Sequence, residues 1–87
     1  DEIIHTLAYC ESRNREKIVN EKDYGSASIG YLQFKVQTFV HFGRRYGLPH
    51  DNPFDKEQQI AIAKEMIKEG RWEHWKVCFK KMGLNYE

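Results

Sequence analysis

Ile3, Ile4, Leu7, Ala8 and Glu11 recur near the start of the chain at the spacing of one helix face. This pattern predicts an amphipathic helix over residues 2–12 that packs against a core and carries a carboxylate on its packed face. Two effects act on that carboxylate. Apolar surroundings disfavour its charge, and so does the negative end of the helix macrodipole, so both raise its expected pKa. Such a group costs stability but suits proton donation at neutral pH. A solvated, functionless Glu11 is the simpler alternative, and the dipole and the apolar face both argue against it.

With 87 residues, positions 1–87 are expected to form a single domain. A domain this short buries only about 60% of its unfolded surface, so a covalent staple would help it. Its two cysteines, Cys10 and Cys78, lie far apart in sequence. They form no C-x-x-C pair and no His stands at ligand spacing from them, so no metal site is expected. Two reduced core thiols and one disulfide both fit this pattern. A disulfide would contribute about 4 kcal/mol in the chain-entropy model and would imply an oxidising compartment.

A formal net charge of +1 with mixed signs argues against a dedicated nucleic-acid binder. The basic bias of Lys64, Lys68, Arg71, Lys76, Lys80 and Lys81 reads as a solvated helix face. No apolar run is long enough to span a bilayer. The chain starts at Asp1 with no signal peptide, which is the expectation for a mature fragment or a domain excised from a longer protein.

Further along, Asn14 is expected to stop the first helix. Residues 15–32 hold Asn20, Asp23, Gly25, Ser26, Ser28 and Gly30 and predict a loop with one or two short strands. Phe34, Val36, Phe39, Val40, Phe42 and Tyr46 predict a helix over 33–46 that ends at Gly47. Asp55, with Gln58 three residues on, predicts a capping box. The helix after it should bury Ile60, Ala61, Ala63, Met66 and Ile67 and close at Gly70. A last short helix should carry Trp72, Trp75, Phe79 and Met82. The fold class expected is mainly α with a small β or irregular element.

Other residues could join Glu11. Gly30 permits close backbone approach, and Gln33 offers both donors and an acceptor to sugar hydroxyls or amides, although an isolated Gly-x-x-Gln reads more simply as a helix start with Gln33 on the surface. Asp23 is the candidate second carboxylate. Retaining glycosidases hold two carboxyls about 5–5.5 Å apart and inverting ones about 6.5–9.5 Å apart, but a loop Asp is more often a turn former. Tyr24 and Tyr31 could flank a sugar groove, with Ser28 beside them. His5, His41, His50 and His74 form no coherent set and read as structural or surface residues.

The order of these motifs resembles the resuscitation-promoting-factor family, a branch of the lysozyme-like superfamily that also contains the lytic transglycosylases. The resemblance runs from Leu7-Ala8-Tyr9-Cys10-Glu11-Ser12 through Gly30-Tyr31-Leu32-Gln33-Phe34 and Thr38-Phe39. It continues at Glu57-Gln58-Gln59-Ile60-Ala61-Ile62-Ala63 and ends at Trp75-Lys76-Val77-Cys78. It implies a compact lysozyme-like domain with a Cys10–Cys78 disulfide. It also implies cleavage of the β-1,4 bond between N-acetylmuramic acid and N-acetylglucosamine in peptidoglycan, with no cofactor. Glu11 matches the family's catalytic acid, Gln33 and Thr38 match its substrate-binding positions, and Ser12 stands where a Ser supports the site. The chain departs from the family in a longer loop before Gln33, and in Tyr31 for a second Gly, Phe39 for Trp and Lys76 for Pro. Its segment Asp23-Tyr24-Gly25-Ser26-Ala27-Ser28 is closer to the loop of lytic transglycosylases.

The expected function is therefore a peptidoglycan-cleaving enzyme of lytic transglycosylase type, with a hydrolytic muramidase as the alternative. It would be extracytoplasmic and monomeric by default, with a glycan strand as its partner. The alternatives from other classes are a wall-glycan-binding module that uses Tyr24, Tyr31 and Gln33 without cutting, and a domain that recognises another wall enzyme.

Overall fold

The computed structural model describes residues 2–21 and 27–83. Helix α1 spans Glu2–Ser12. Short strands β1 (Val19–Asn20), β2 (Ser28–Ile29) and β3 (Phe34–Lys35) follow, and then helices α2 (Val36–Tyr46) and α3 (Lys56–Lys68). A 3-10 turn over Trp72–Trp75 runs directly into α4 (Lys76–Lys81). The fold is mainly α with a small sheet, as the sequence predicts.

The first helix stops where Asn14 was expected to stop it. Arg13 and Asn14 both take positive φ, 57° and 63°, which turns the chain out of the helix. Strands β1, β2 and β3 form one antiparallel sheet in that order. Ile29 pairs with Val19 on one side and with Phe34 on the other.

That pairing corrects the expected helix over 33–46. Gln33 sits in the left-handed region at φ 53°, Phe34 and Lys35 pair with β2, and the helix starts only at Val36. The apolar run misled because Phe34 is core by way of a strand, while Val36 is an exposed side chain. At the other end of α2, Gly47 at φ 65° closes a Schellman motif. Its N–H donates to Arg44 O, and that of Leu48 donates to Gly43 O.

Helix α3 is capped by Asp55, whose carboxylate accepts the Glu57 N–H at 3.0 Å. The reciprocal half of the capping box is absent, because Gln58 donates instead to Asp51 Oδ1 at 2.7 Å and accepts from Asn52 N. The buried face of α3 is also rotated from the expected one. Gln59, Ile62, Ala63 and Met66 are buried, while Ile60 and Ile67 pack at the margin and Ala61 is half-buried. Gly70 closes this helix as predicted, with φ 81° and its N–H on Ile67 O. The final helix is shorter than expected, since Trp72–Trp75 is a 3-10 turn and Met82 lies beyond α4 and is exposed.

The core joins Ile4, Leu7 and Ala8 of α1 to Leu32, Phe34, Phe39, Ile62, Met66, Trp75 and Phe79. Phe34 lies at its centre, edge-on to both Phe39 and Trp75. Cys10 is bonded to Cys78, tying α1 to α4 across 68 residues of sequence. None of the helices among the described residues is long and apolar enough to cross a membrane.

Candidate active site

Glu11 occupies the last turn of α1 and is partly buried. It lines a recess of about 490 Å³ together with Gln33, Arg15 and Glu21. Ile18 and Val19 supply apolar wall. With Asn20 also in the lining, the recess brings two carboxylates, a guanidinium and two primary amides to one surface. Such a set can move a proton, neutralise developing charge and hydrogen-bond an amide or hydroxyl.

Gln33 reaches the recess because of the turn that joins β2 to β3. Its N–H and its side-chain Nε2 both donate to Gly30 O, at 3.2 and 3.0 Å. Gly30 itself stands at φ 78°, and a Cβ placed there would lie 2.5 Å from Gln59 Nε2. Glycine is therefore required at this position for both conformation and space.

Ser12 links this turn to the helix that carries Glu11. It is buried, and its Oγ donates to Tyr31 O at 2.7 Å, with the helix carbonyl of Ala8 at 3.1 Å as the alternative acceptor. A hydroxyl has one proton, so the shorter bond across elements is the stronger claim on it. Arg15 folds back onto the same helix end, its Nε donating to Ser12 O at 2.9 Å.

The other residues singled out in the sequence are placed as follows. Tyr31 is 4% exposed, and a 2.8 Å hydrogen bond joins its hydroxyl to His5 Nδ1. A ring packed into the core has no open face for a sugar to stack on, so the expected platform role does not fit this placement. Ser28 is buried in β2. Thr38 is half-buried in the first turn of α2 and is not among the residues lining the recess. Asp23 and Tyr24 lie outside the described residues. His50 Nδ1 bonds Leu48 O at 2.7 Å, and His74 stacks on Phe34 with ring centroids 5.2 Å apart, so these two histidines are bound into the structure. No three His, Cys, Asp or Glu side chains among the described residues come together as a metal site would require.

Sequence reasoning missed Glu21, Arg15 and Gln59. Glu21 and Arg15 are surface-type residues in an aperiodic stretch; Arg15 reaches the recess by folding back onto the end of α1, and Glu21 follows β1 into it. Gln59 carried a usable signal, a polar residue at core spacing with Ile62, Ala63 and Met66.

Comparisons with known proteins bear on the family of the chain. Residues 1–78 match the family model of the transglycosylase-like domain. The chain is 32% identical over 91% of its length to the resuscitation-promoting factor Rpf1 of Corynebacterium glutamicum. It is 35% identical over 69% of its length to the resuscitation-promoting factor RpfC of Mycobacterium tuberculosis. It spans 39% and 41% of the length of those two relatives. No solved structure matches it significantly. By its match to the family model over residues 1–78 and its similarity to these relatives, the chain belongs to the transglycosylase-like domain family, on its resuscitation-promoting-factor branch.

Proposed function

We propose that this domain cleaves peptidoglycan glycan strands by the lytic transglycosylase route, at the β-1,4 bond between N-acetylmuramic acid and N-acetylglucosamine. The observation that carries this reading is the shared recess of Glu11 and Gln33. Glu11 donates its proton to the glycosidic oxygen as the bond breaks, and an oxocarbenium-like centre develops on the muramic acid ring. The substrate's own 6-hydroxyl then closes on that carbon, its N-acetyl group assists, and Glu11 takes a proton back. The product carries a 1,6-anhydromuramyl end.

Gln33 positions the sugar. Its Nε2 spends one hydrogen on Gly30, which leaves an N–H and the amide oxygen for a substrate acetamido or hydroxyl group. Thr38 contributes from the start of α2 on the strength of the family resemblance alone. The Cys10–Cys78 bond supports an extracytoplasmic, secreted or wall-associated setting.

A second reading is favoured by the presence of Glu21 in the same recess. If Glu21, or Asp23 two positions on in the sequence, activates water, the outcome is hydrolysis and a reducing end. Mass spectrometry of sugars released from purified peptidoglycan separates the two. Anhydro ends support the transglycosylase route, and reducing ends alone replace it with a muramidase. Glu11→Gln is expected to lower turnover by about 100- to 10,000-fold with circular dichroism unchanged. Near-normal turnover in that variant removes Glu11 from the reaction. Glycan retention without any product from the wild type would make the domain a binding module.

A further inference from the structure

Gln59 stands apart from its neighbours. It is fully buried in the face of α3 that packs on the core, where an apolar side chain would avoid the cost of desolvating an amide. All of its bonding capacity that faces the chain is used. Oε1 accepts the Leu32 N–H at 2.7 Å, and Nε2 donates to Ile29 O at 3.0 Å and to Pro53 O at 2.6 Å. Of those partners, Ile29 O immediately precedes the Gly30–Gln33 turn and the Leu32 N–H lies within it. Trp75 Nε1 and His74 Nε2 take the next two carbonyls, Leu32 O at 2.9 Å and Gln33 O at 3.4 Å.

The turn needs such a frame. Gln33 holds a positive φ of 53°, a conformation that a non-glycine residue keeps only where its surroundings over-determine it. An apolar residue at 59 would leave the Leu32 N–H and the Ile29 carbonyl without these partners.

We infer that Gln59 is a positioning residue that sets the Gly30–Gln33 turn, and so fixes where the Gln33 amide meets substrate in the Glu11 recess. This inference rests on the reading of Glu11 and Gln33 as the site. Gln59 touches no substrate and acts only through the backbone of the turn. Gln59→Met keeps the volume of the side chain and removes all three bonds. A misplacement of Gln33 on the ångström scale is expected to lower kcat/KM on peptidoglycan by about 100-fold.

The control is Ile62→Ala, a buried change on the same helix that leaves the turn's hydrogen bonds in place. Both variants are assayed well below their melting temperatures. Nuclear magnetic resonance supplies a second measurement on the wild-type chain, titrated with a soluble N-acetylglucosamine–N-acetylmuramic acid oligomer. The Gln59 side-chain amide and the Leu32 backbone amide are expected to shift together with Gln33.

A 100-fold loss in Gln59→Met with little loss in Ile62→Ala supports the inference. Equal losses in the two variants overturn it. If Gln59→Met does not fold, the titration decides: concerted shifts support the positioning role, and a Gln33 shift with Gln59 and Leu32 unmoved overturns it. Wild type and Glu11→Gln releasing equal amounts of sugar would overturn the reading of the site itself, and this inference with it.

Discussion

Two regions of the molecule carry dense polar bonding, and they differ in burial. One is the Gly30–Gln33 turn, where Ser12, Gln59 and Trp75 hold consecutive backbone groups from buried positions. The other lies where the end of α2 meets the end of α3. There Glu69 accepts the Tyr46 hydroxyl and Arg71 Nε, both at 2.9 Å, and pairs with Arg45 at 3.4 Å. The second region looks stronger on paper because it pairs full charges. Its carboxylate and guanidinium groups are 37–47% exposed, so water screens them and each pair contributes little. The turn uses neutral groups but shields them from water, so breaking one bond leaves a buried group without a substitute partner.

The largest expected effect tests whether α1 is anchored to the buried side at all. Replacing both Cys10 and Cys78 by Ala should lower the unfolding free energy by about 4 kcal/mol, measured by urea denaturation. A loss near zero would mean that packing alone holds α1 in place, and the disulfide would drop out of the account.

Ser12→Ala tests the buried half of the comparison directly. It removes the bond to Tyr31 O and should cost about 1–3 kcal/mol, with turnover falling because the helix bearing Glu11 is no longer pinned to the turn bearing Gln33. A cost indistinguishable from that of an exposed substitution would break the contrast between the two regions.

The smallest effects belong to the exposed cluster and depend on pH. Burial, then the hydrogen bond and negative charge of Glu69, raise the Tyr46 pKa from 10.0 to about 12. A group raised on folding stabilises below its unfolded pKa, so this contribution is present below pH 10.0 and fades as pH rises toward about 12. Spectrophotometric titration should show a late tyrosine component that vanishes in Tyr46→Phe. Glu69 is shifted the other way, chiefly by Arg71 and then by Tyr46. Its contribution is present above the ordinary carboxylate range and is lost as pH falls through its lowered value. Glu69→Gln should lower the melting temperature only slightly, by an amount that salt reduces further.

How much of this was legible beforehand follows the range of the interactions. Helix α1, its stop at Asn14, the Asp55 cap and the Gly47 and Gly70 terminations all follow from residues within a few positions of one another. Glu11 could be singled out because it sits on a periodic face, whereas Gln33 gained its expected role from the family resemblance, since an isolated Gly-x-x-Gln reads more simply as a helix start with a surface Gln. The start of α2 was misplaced because Phe34 fits a helical stripe and a strand equally well, and the pairing with Ile29 decided for the strand. Tyr31 is expected from the sequence to flank a sugar groove, but its ring packs into the core and its hydroxyl bonds His5 across 26 positions of sequence.

The sequence by itself determined the mainly helical class, the stop of α1, the Asp55 cap and the glycine terminations at Gly47 and Gly70, because helix periodicity, capping and left-handed stops are local properties of the chain. Only the tertiary structure decided that Gln33 and Glu21 join Glu11 in one recess, and that Gln59 belongs to the core. Those outcomes depend on contacts between residues far apart in the chain. The free energy of such contacts comes from packing, desolvation and hydrogen-bond geometry that no short stretch contains.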